Sequence, residues 1–553
     1  MNYPEIPLAQ SILEIFKAKG IKHIIISPGS RNAPLTIGFT SDPFFTCYSI
    51  VDERCAAFFA MGIAQQLQAP TALLCTSGSA LLNYYPAVAE AFYSQIPLIV
   101  LSADRPTSKI DIGDGQTIRQ RNVFSNHSLF NANLSDEASE ANDLLVQEAI
   151  LISQVQQGPV HINIPFEEPL YNTIPVPTYT ATITGNERQE EKATADFGDF
   201  HIVQQAQKIV VLVGSQNPGV LSDAHIAYLA ALPQVVILTE INSNLHHPNI
   251  VSNIDTLITT FTDKDFEDFQ PDLLLTFGGM VVSKRVKAMF RRYPPKNHWH
   301  VDPLRAYDTF LVLTKHIKCT ADAFIEQLMV KVGPKPSDFA ARIRSVMEQR
   351  RKGHDRYLSQ IPFSDLKSFG IIWKQLPHNI QLQISNSAVI RYAQLFETPA
   401  SIEVFCNRGT SGIDGSTSTS IGAAVISPVP TVLITGDISF FYDSNALWNN
   451  YIPKDYKIII INNSGGGIFR ILPGHTENET FNTFFETEHE LTAAHLAAMY
   501  KFGYQTAVNE EELNTALKQL FSRNDQPQIL EVFTPSKINR DLLRNYFTNI
   551  SSF

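Results

Sequence analysis

One order of elements occurs twice in this chain of 553 residues. The apolar run Thr71–Cys75 leads into the small-residue turn Thr76-Ser77-Gly78-Ser79 and a helical stretch to Ser94. The pair Ile96-Pro97, the run Leu98–Leu101 and the polar cluster Ser102-Ala103-Asp104-Arg105 follow. Residues 431–467 repeat that order. They hold the run Thr431–Thr435, a glycine turn at Gly436, a helix around Ser444 to Asn450, Ile452-Pro453, the run Ile458–Ile461 and the polar cluster Asn462–Gly467. Short, continuously apolar runs are strands buried on both faces. A strand–helix–strand unit makes such strands parallel, so the two copies predict two related parallel-sheet domains of α/β class.

A third unit lies between them, with runs Ile209–Val213, Val235–Leu238 and Asp272–Leu275 and glycines at Gly214, Gly278 and Gly279. It reads as another Rossmann-like layer, without the G-x-G-x-x-G turn that would support a dinucleotide. Residues 172–200, proline-bearing and then charged, read as a linker. Residues 334–368, with Pro334, Pro336 and a charged helix through Arg342 to Arg351, read as a polar crossover. The expected architecture is three Rossmann-like parallel-sheet domains over about 1–185, 186–345 and 346–553.

The formal net charge of −11 argues against nucleic acid and anionic membrane as partners. No apolar run approaches the roughly 18 residues of a membrane span, and Met1–Gln10 lacks a signal-peptide pattern. The five cysteines (Cys47, Cys55, Cys75, Cys319, Cys406) form no C-x-x-C pair. They predict a reducing, cytoplasmic setting rather than a disulfide framework or zinc site. The basic patch Lys284–Arg292 reads as a solvated helix face. His246-His247 read as a loop, and His298 and His300 as one strand face with no third ligand nearby in sequence. Ser-His-Asp, H-E-x-x-H and Walker patterns are absent.

Ligands of open α/β sheets bind outside the C-terminal strand ends. Asp437 and Asn463 stand at two such ends, 26 positions apart, and offer hard oxygens; a backbone carbonyl at Gly465 offers a third. That set suits Mg²⁺ (or Mn²⁺) completed by water and phosphate oxygens. Glycines 465–467 would let backbone N–H groups approach the phosphate. Near the N-terminus, Asp52 can cap a helix running to Ala64, which puts Glu53 in its first turn among apolar neighbours.

Gly436-Asp437 with Asn462-Asn463 resembles the metal motif of the thiamine diphosphate enzymes, with Ile438 where many members have glycine. Further motifs are Ser27-Pro28-Gly29-Ser30-Arg31-Asn32-Ala33-Pro34-Leu35, Asn407-Arg408-Gly409 before Ser411-Gly412-Ile413-Asp414-Gly415, and Gly466-Gly467-Ile468-Phe469. Together, and over essentially the whole chain, they resemble the menaquinone-pathway carboligases of that family. The resemblance implies thiamine diphosphate as cofactor, with Mg²⁺ or Mn²⁺ on Asp437, Asn463 and Gly465. It makes the three domains pyrimidine-binding, central and diphosphate-binding. It assigns Glu53 to share a proton with the pyrimidine ring. Ser387, Gly409, Ser411, Gly412, Gly436, Ile438, Ser439 and Gly466 become cofactor contacts, and Ile413 a wedge between the two cofactor rings.

The reaction it implies decarboxylates 2-oxoglutarate and adds the succinyl carbanion equivalent to isochorismate. Both substrates are dicarboxylates, so fixed cations are required. By resemblance, Arg391 and Arg408 hold 2-oxoglutarate, and Arg31, Arg105 and Lys284 hold isochorismate. Ser30 and Ser387 become carboxylate or hydroxyl donors. Gln116 becomes a catalytic amide, with Gly115 where the family has asparagine. Ile468 and Phe469 become cofactor contacts and an apolar wall against water. A homodimer with shared active sites is implied, or a homotetramer. Two other readings stay open: another thiamine enzyme, such as an acetohydroxyacid synthase or 2-oxoacid decarboxylase, and a non-catalytic metabolite-binding protein on the same folds.

Overall fold

The computed structural model describes residues 2–185, 200–471, 476–522 and 525–550. Strands β1 (His23–Ile26), β2 (Thr46–Ser49), β3 (Thr71–Cys75), β4 (Leu98–Asp104), β5 (Phe130–Asn133) and β6 (Val160–Pro165) form one parallel sheet in the order β2-β1-β3-β4-β6-β5. A second sheet holds β7 (Ile209–Val213), β8 (Val235–Thr239), β9 (Leu273–Phe277), β10 (Asn297–Val301) and β11 (Lys315–Ile317), in the order β8-β7-β9-β10-β11. The third holds β12 (Ile380–Ile384), β13 (Ile402–Phe405), β14 (Thr431–Gly436), β15 (Lys457–Asn462), β16 (Gly503–Ala507) and β17 (Gln528–Phe533), in the order β13-β12-β14-β15-β17-β16. Counted within their own sheets, the first and third sets share one strand order. The layout read from residues 71–105 and 431–467 is therefore a repeated topology.

The apolar runs are buried on both faces, as their lack of alternation predicts. Every residue of β3, β4, β7, β9 and β15 is buried. No described helix is long and apolar enough to cross a membrane. His298 and His300 do share one strand face, where both bond to Thr276 Oγ1 at 2.9 and 2.8 Å.

Three local expectations need correction. Residues 172–185 are not a loose linker. Thr173–Ile174 pairs antiparallel with Tyr3–Pro4, and Thr178, Tyr179 and Thr184 donate backbone N–H groups to Gln10 and Gln147. The rest of the expected linker, 186–199, lies outside the described residues. The helix expected over Ser444 to Asn450 is instead the α-helix Asp437–Tyr442 and a 3₁₀ turn at Ser444–Leu447. Asp443 separates them because its carboxylate turns away to accept Ser418 N and Oγ at 2.8 and 2.9 Å. The crossover helix runs Phe339–Gln360, well beyond Arg342–Arg351, because Phe339, Ile343, Met347, Tyr357 and Leu358 continue one buried stripe.

Helices α1 (Glu53–Leu67) and α2 (Ser416–Ile426) follow the second strand of the first and third sheets, respectively, and cross in direct backbone contact. A Cβ on Gly62 would overlap the Thr419 carbonyl, and a Cβ on Gly422 would overlap that of Phe59. Glycine is required at both positions for this approach. Gly62→Val should cost about 3 kcal/mol by forcing the helices apart, read as a lower thermal midpoint. An unchanged midpoint would show that the crossing tolerates separation.

Candidate active site

The C-terminal ends of β12 and β14 flank the point where the third sheet's strand order reverses, the usual ligand crevice of such sheets. Register pairs Gly436 with Ile461, so Asp437 and Asn463 leave neighbouring strands side by side, 3% and 6% exposed. Asp437 Oδ1 accepts the Ile438 N–H at 2.7 Å and Oδ2 the Gly465 N–H at 2.9 Å. Asn463 Nδ2 donates to Asp365 Oδ2 at 2.9 Å, which leaves the carboxamide oxygen for a cation. His489 stands with Nε2 3.3 Å from Asp437 Oδ2, and its Nδ1 accepts the Leu491 N–H. A carboxylate and a carboxamide oxygen on adjacent strand ends are the donor types that would fit an Mg²⁺ or Mn²⁺ ion.

The glycine run behaves differently from expectation. The N–H groups of Gly465, Gly466 and Gly467 are taken by Asp437 Oδ2, the Glu486 carbonyl and the Gly465 carbonyl, at 2.9, 2.6 and 3.0 Å. The Gly466 contact arises because Glu486, which is buried and salt-bridged to Arg470, returns over the run. Beside it, Ile468 is half-buried, and Phe469 is exposed with its ring edge-on to Phe485.

The loop after β13 is held by the predicted Ser439 and by two residues that sequence reasoning missed, Glu90 and Asn386. Glu90, 1% exposed on the helix Tyr85–Ser94, accepts Gly409 N and Thr410 N at 2.6 Å and Ser411 N at 3.3 Å. Asn386 Nδ2 donates to the carbonyls of Asn407 and Gly412, each at 2.8 Å. Ser439 Oγ donates to the Ile413 carbonyl at 2.6 Å. Ser387 sits at φ 68°, ψ −130°, a strained conformation for a side-chain-bearing residue, at the mouth of this crevice. A lone charge on the apolar helix Tyr85–Ser94 was the one available sign of Glu90.

Arg391 and Arg408 meet here. Arg408 donates to Asn386 Oδ1 at 2.6 Å and Arg391 to the Ser387 carbonyl. Among the described residues, neither lies within ion-pair distance of a carboxylate, and Arg408 Nε is buried without a partner. Burial and then the Arg408 charge push the Arg391 guanidinium below its ordinary range. Lys284 is exposed at the start of the helix Lys284–Arg292, which follows β9 of the second sheet. The carboxylate of Glu240 receives Val282 N and Ser283 N at 2.5 and 2.6 Å, and burial pushes it up to about 7.

The remaining predicted residues gather at the strand ends of the first sheet. Asp52 caps α1 by accepting Arg54 N and Cys55 N, and Glu53, half-buried, accepts Asn83 Nδ2 at 3.4 Å. Ser30 is exposed. Arg31 is 3% exposed and is engaged by the Phe166 carbonyl and Glu168, both at 2.9 Å. Arg105 lies 3.7 Å from the same Glu168 and donates to the Gly115 carbonyl at 3.1 Å. Gln116 is exposed at φ 54°, and its backbone packs on Gly78.

A buried network underlies these loops. Ser102 Oγ donates to Asn163 Oδ1 at 2.8 Å and so accepts from His161 Nε2 at 2.7 Å, which fixes the ring tautomer. Asn163 Nδ2 donates to Asp104 Oδ2 at 2.7 Å, and Gln120 joins Asn163 to Gly78 N. Burial pushes the His161 imidazole down from 6.5 to about 3. The unfolded chain takes up that proton near 6.5, so the stability present above pH 6.5 is lost progressively as pH falls toward 3. His161→Gln should flatten this slope, so that its thermal midpoint falls less than the wild type's between about pH 7 and 5. Equal slopes would remove His161 as the source.

Residues 6–130 match the family described as thiamine pyrophosphate enzyme, N-terminal TPP binding domain, and 387–532 the corresponding C-terminal TPP binding domain. The chain is 59% identical over 552 residues to the 2-succinyl-5-enolpyruvyl-6-hydroxy-3-cyclohexene-1-carboxylate synthase of Flavobacterium psychrophilum. It is 58% identical to that of Flavobacterium johnsoniae and 47% to that of Christiangramia forsetii, with 100% of both chains covered in each case.

Proposed function

The chain belongs to the family of thiamine diphosphate-dependent 2-succinyl-5-enolpyruvyl-6-hydroxy-3-cyclohexene-1-carboxylate synthases, and from that premise we propose the following division of labour. The protein is a carboligase-type transferase of menaquinone biosynthesis. It decarboxylates 2-oxoglutarate and joins the succinyl unit to isochorismate with release of CO₂. One observation carries the donor assignment: Arg391 and Arg408 are neighbours held only by neutral acceptors. With no described carboxylate within ion-pair distance, both guanidiniums are left to pair directly with an anion that carries more than one negative group.

Thiamine diphosphate, when bound, supplies the nucleophilic carbon and the electron sink for decarboxylation. Asp437 and Asn463, with the Gly465 carbonyl, would hold the Mg²⁺ or Mn²⁺ ion that accompanies it. Glu53 holds a proton on its carboxyl group toward the pyrimidine ring. Arg391 and Arg408 orient both carboxylates of 2-oxoglutarate, with Ser387 as a further donor. Ile413 shapes the floor of the crevice, and Ile468 and Phe469 exclude water. Arg105, Lys284, Ser30 and Gln116 receive isochorismate, and Arg31, buried against Glu168, sets the loop beneath them. The pyrimidine-binding, central and diphosphate-binding units divide near residues 185 and 345. The working form is a cytoplasmic homodimer or homotetramer in which each active site draws on two subunits.

The test is incubation with cofactor, Mg²⁺, 2-oxoglutarate and isochorismate, following isochorismate loss and product mass. Cofactor-dependent consumption of both substrates is expected. Decarboxylation with isochorismate left intact would overturn the acceptor, and preference for pyruvate would favour an acetohydroxyacid synthase type. Glu53→Gln should lower turnover by roughly 10²–10⁴-fold while the cofactor still binds; normal turnover would sink its role. Arg408→Ala should raise the KM for 2-oxoglutarate by about tenfold or more, with little change for isochorismate; the reverse pattern would refute the pocket assignment.

A further inference from the structure

We infer that Asp365, outside both matched family regions, is the positioning residue that makes Asn463 a metal ligand. The inference rests on the proposed roles of Asp437 and Asn463. A carboxamide has nearly the same shape in either orientation, but only its oxygen edge can face a cation. At Asn463 the choice is made by Asp365, which lies 98 residues earlier in the chain and whose Oδ2 accepts Nδ2 at 2.9 Å. An ionised carboxylate is acceptor-only, so it selects the NH₂ edge and turns the oxygen the opposite way.

Asp365 is itself fixed. It opens the helix Asp365–Gln375 behind its Ser364 cap and is 2% exposed. Its Oδ1 accepts Thr534 Oγ1 at 2.5 Å, and its backbone N–H donates to Asn539 Oδ1 at 3.0 Å. Thr534 directly follows β17, the strand paired with β15, so the carboxylate is clamped from the sheet that carries Asn463. A first-turn carboxylate usually faces solvent, where it matches the helix dipole at little cost. Burying it is costly unless its hydrogen bonds are met, and here both oxygens are spent, one on the candidate ligand. Partners behind metal ligands typically act by orienting them.

The experiment measures Mn²⁺ binding by electron paramagnetic resonance of the free ion, with cofactor saturating. Asp365→Asn replaces an acceptor-only group by an amide that can present either edge, so the Asn463 carboxamide loses its fixed orientation and Mn²⁺ binding should weaken by about ten- to a hundred-fold. Thr534→Val, which strips the other hydrogen bond from the same carboxylate, should leave Mn²⁺ affinity within about twofold of wild type. Both variants lower the thermal midpoint of the metal-free protein. Asp365→Asn combined with Asn463→Asp exchanges donor and acceptor and should recover most of the lost affinity. Wild-type affinity in Asp365→Asn overturns the inference. So does equal loss in Thr534→Val, which marks a merely structural effect, or a double variant no tighter than the single one. Asp437→Ala is the reference: if it keeps Mn²⁺, the metal-site reading itself falls. If it loses Mn²⁺ while Asp365→Asn does not, only the role of Asp365 falls.

Discussion

The glycine-mediated crossing of α1 and α2 is the contact on which the two halves depend. Gly62 and Gly422 let each backbone meet the other helix without intervening side chains. This sets where the start of α1, and with it Glu53, lies relative to the third sheet. The junction is completed by Asp443, fully buried and pushed up to about 6 by that burial. Its carboxylate accepts from Ser418 of α2 and from Cys55 Sγ of α1, and Asn445 beside it donates to Asp52. The segment that begins with Asp437 thus ends against the cap of the helix that begins with Glu53. The elements proposed to serve the pyrimidine and the diphosphate are braced through one buried carboxylate.

Electrostatics at the crevice is local rather than global. A chain with net charge −11 repels dicarboxylates at long range, and over more than about 8 Å salt screens that field. What remains is the immediate surroundings of each arginine. Arg31 and Arg105 share Glu168, so an anion arriving there meets cations already partly satisfied. Arg391 and Arg408 are bonded only to neutral oxygens, and the buried carboxylates of Glu240 and Asp255 lie behind them in the central domain. Burial pushes both of those carboxylates upward, Glu240 to about 7, with the Arg408 charge opposing the rise at Glu240. Arg391 and Arg408 are thus offset only by carboxylates beyond ion-pair distance, whereas Arg31 and Arg105 meet theirs directly.

Legibility followed chain distance. The buried strands, the repeated strand order and the Asp437–Asn463 pair were readable because each is written in consecutive residues or in fixed spacing from a strand end. The capping of α1 by Asp52 was readable for the same reason. Glu90, Asp365, Glu168 and His489 were not. Each acts on a residue that is distant in sequence or reached only through a fold-back, and each looks locally like an ordinary helix or loop polar group. The partners of the glycine-run N–H groups were not readable either: Gly465 donates to Asp437 and Gly466 to the carbonyl of Glu486, which returns from a later segment.

Sequence alone determined the α/β class, the doubled parallel-sheet layout, the strand ends that carry chemistry and the family motifs. Hydrophobic periodicity and turn residues act within a few positions of the chain, so they survive without a fold. Tertiary structure decided which edge of Asn463 faces outward, which arginines keep their charge unpaired and how closely α1 approaches α2. Those outcomes depend on hydrogen-bond partners and backbone contacts between residues far apart in the chain, as where Gly62 meets Thr419 and Gly422 meets Phe59.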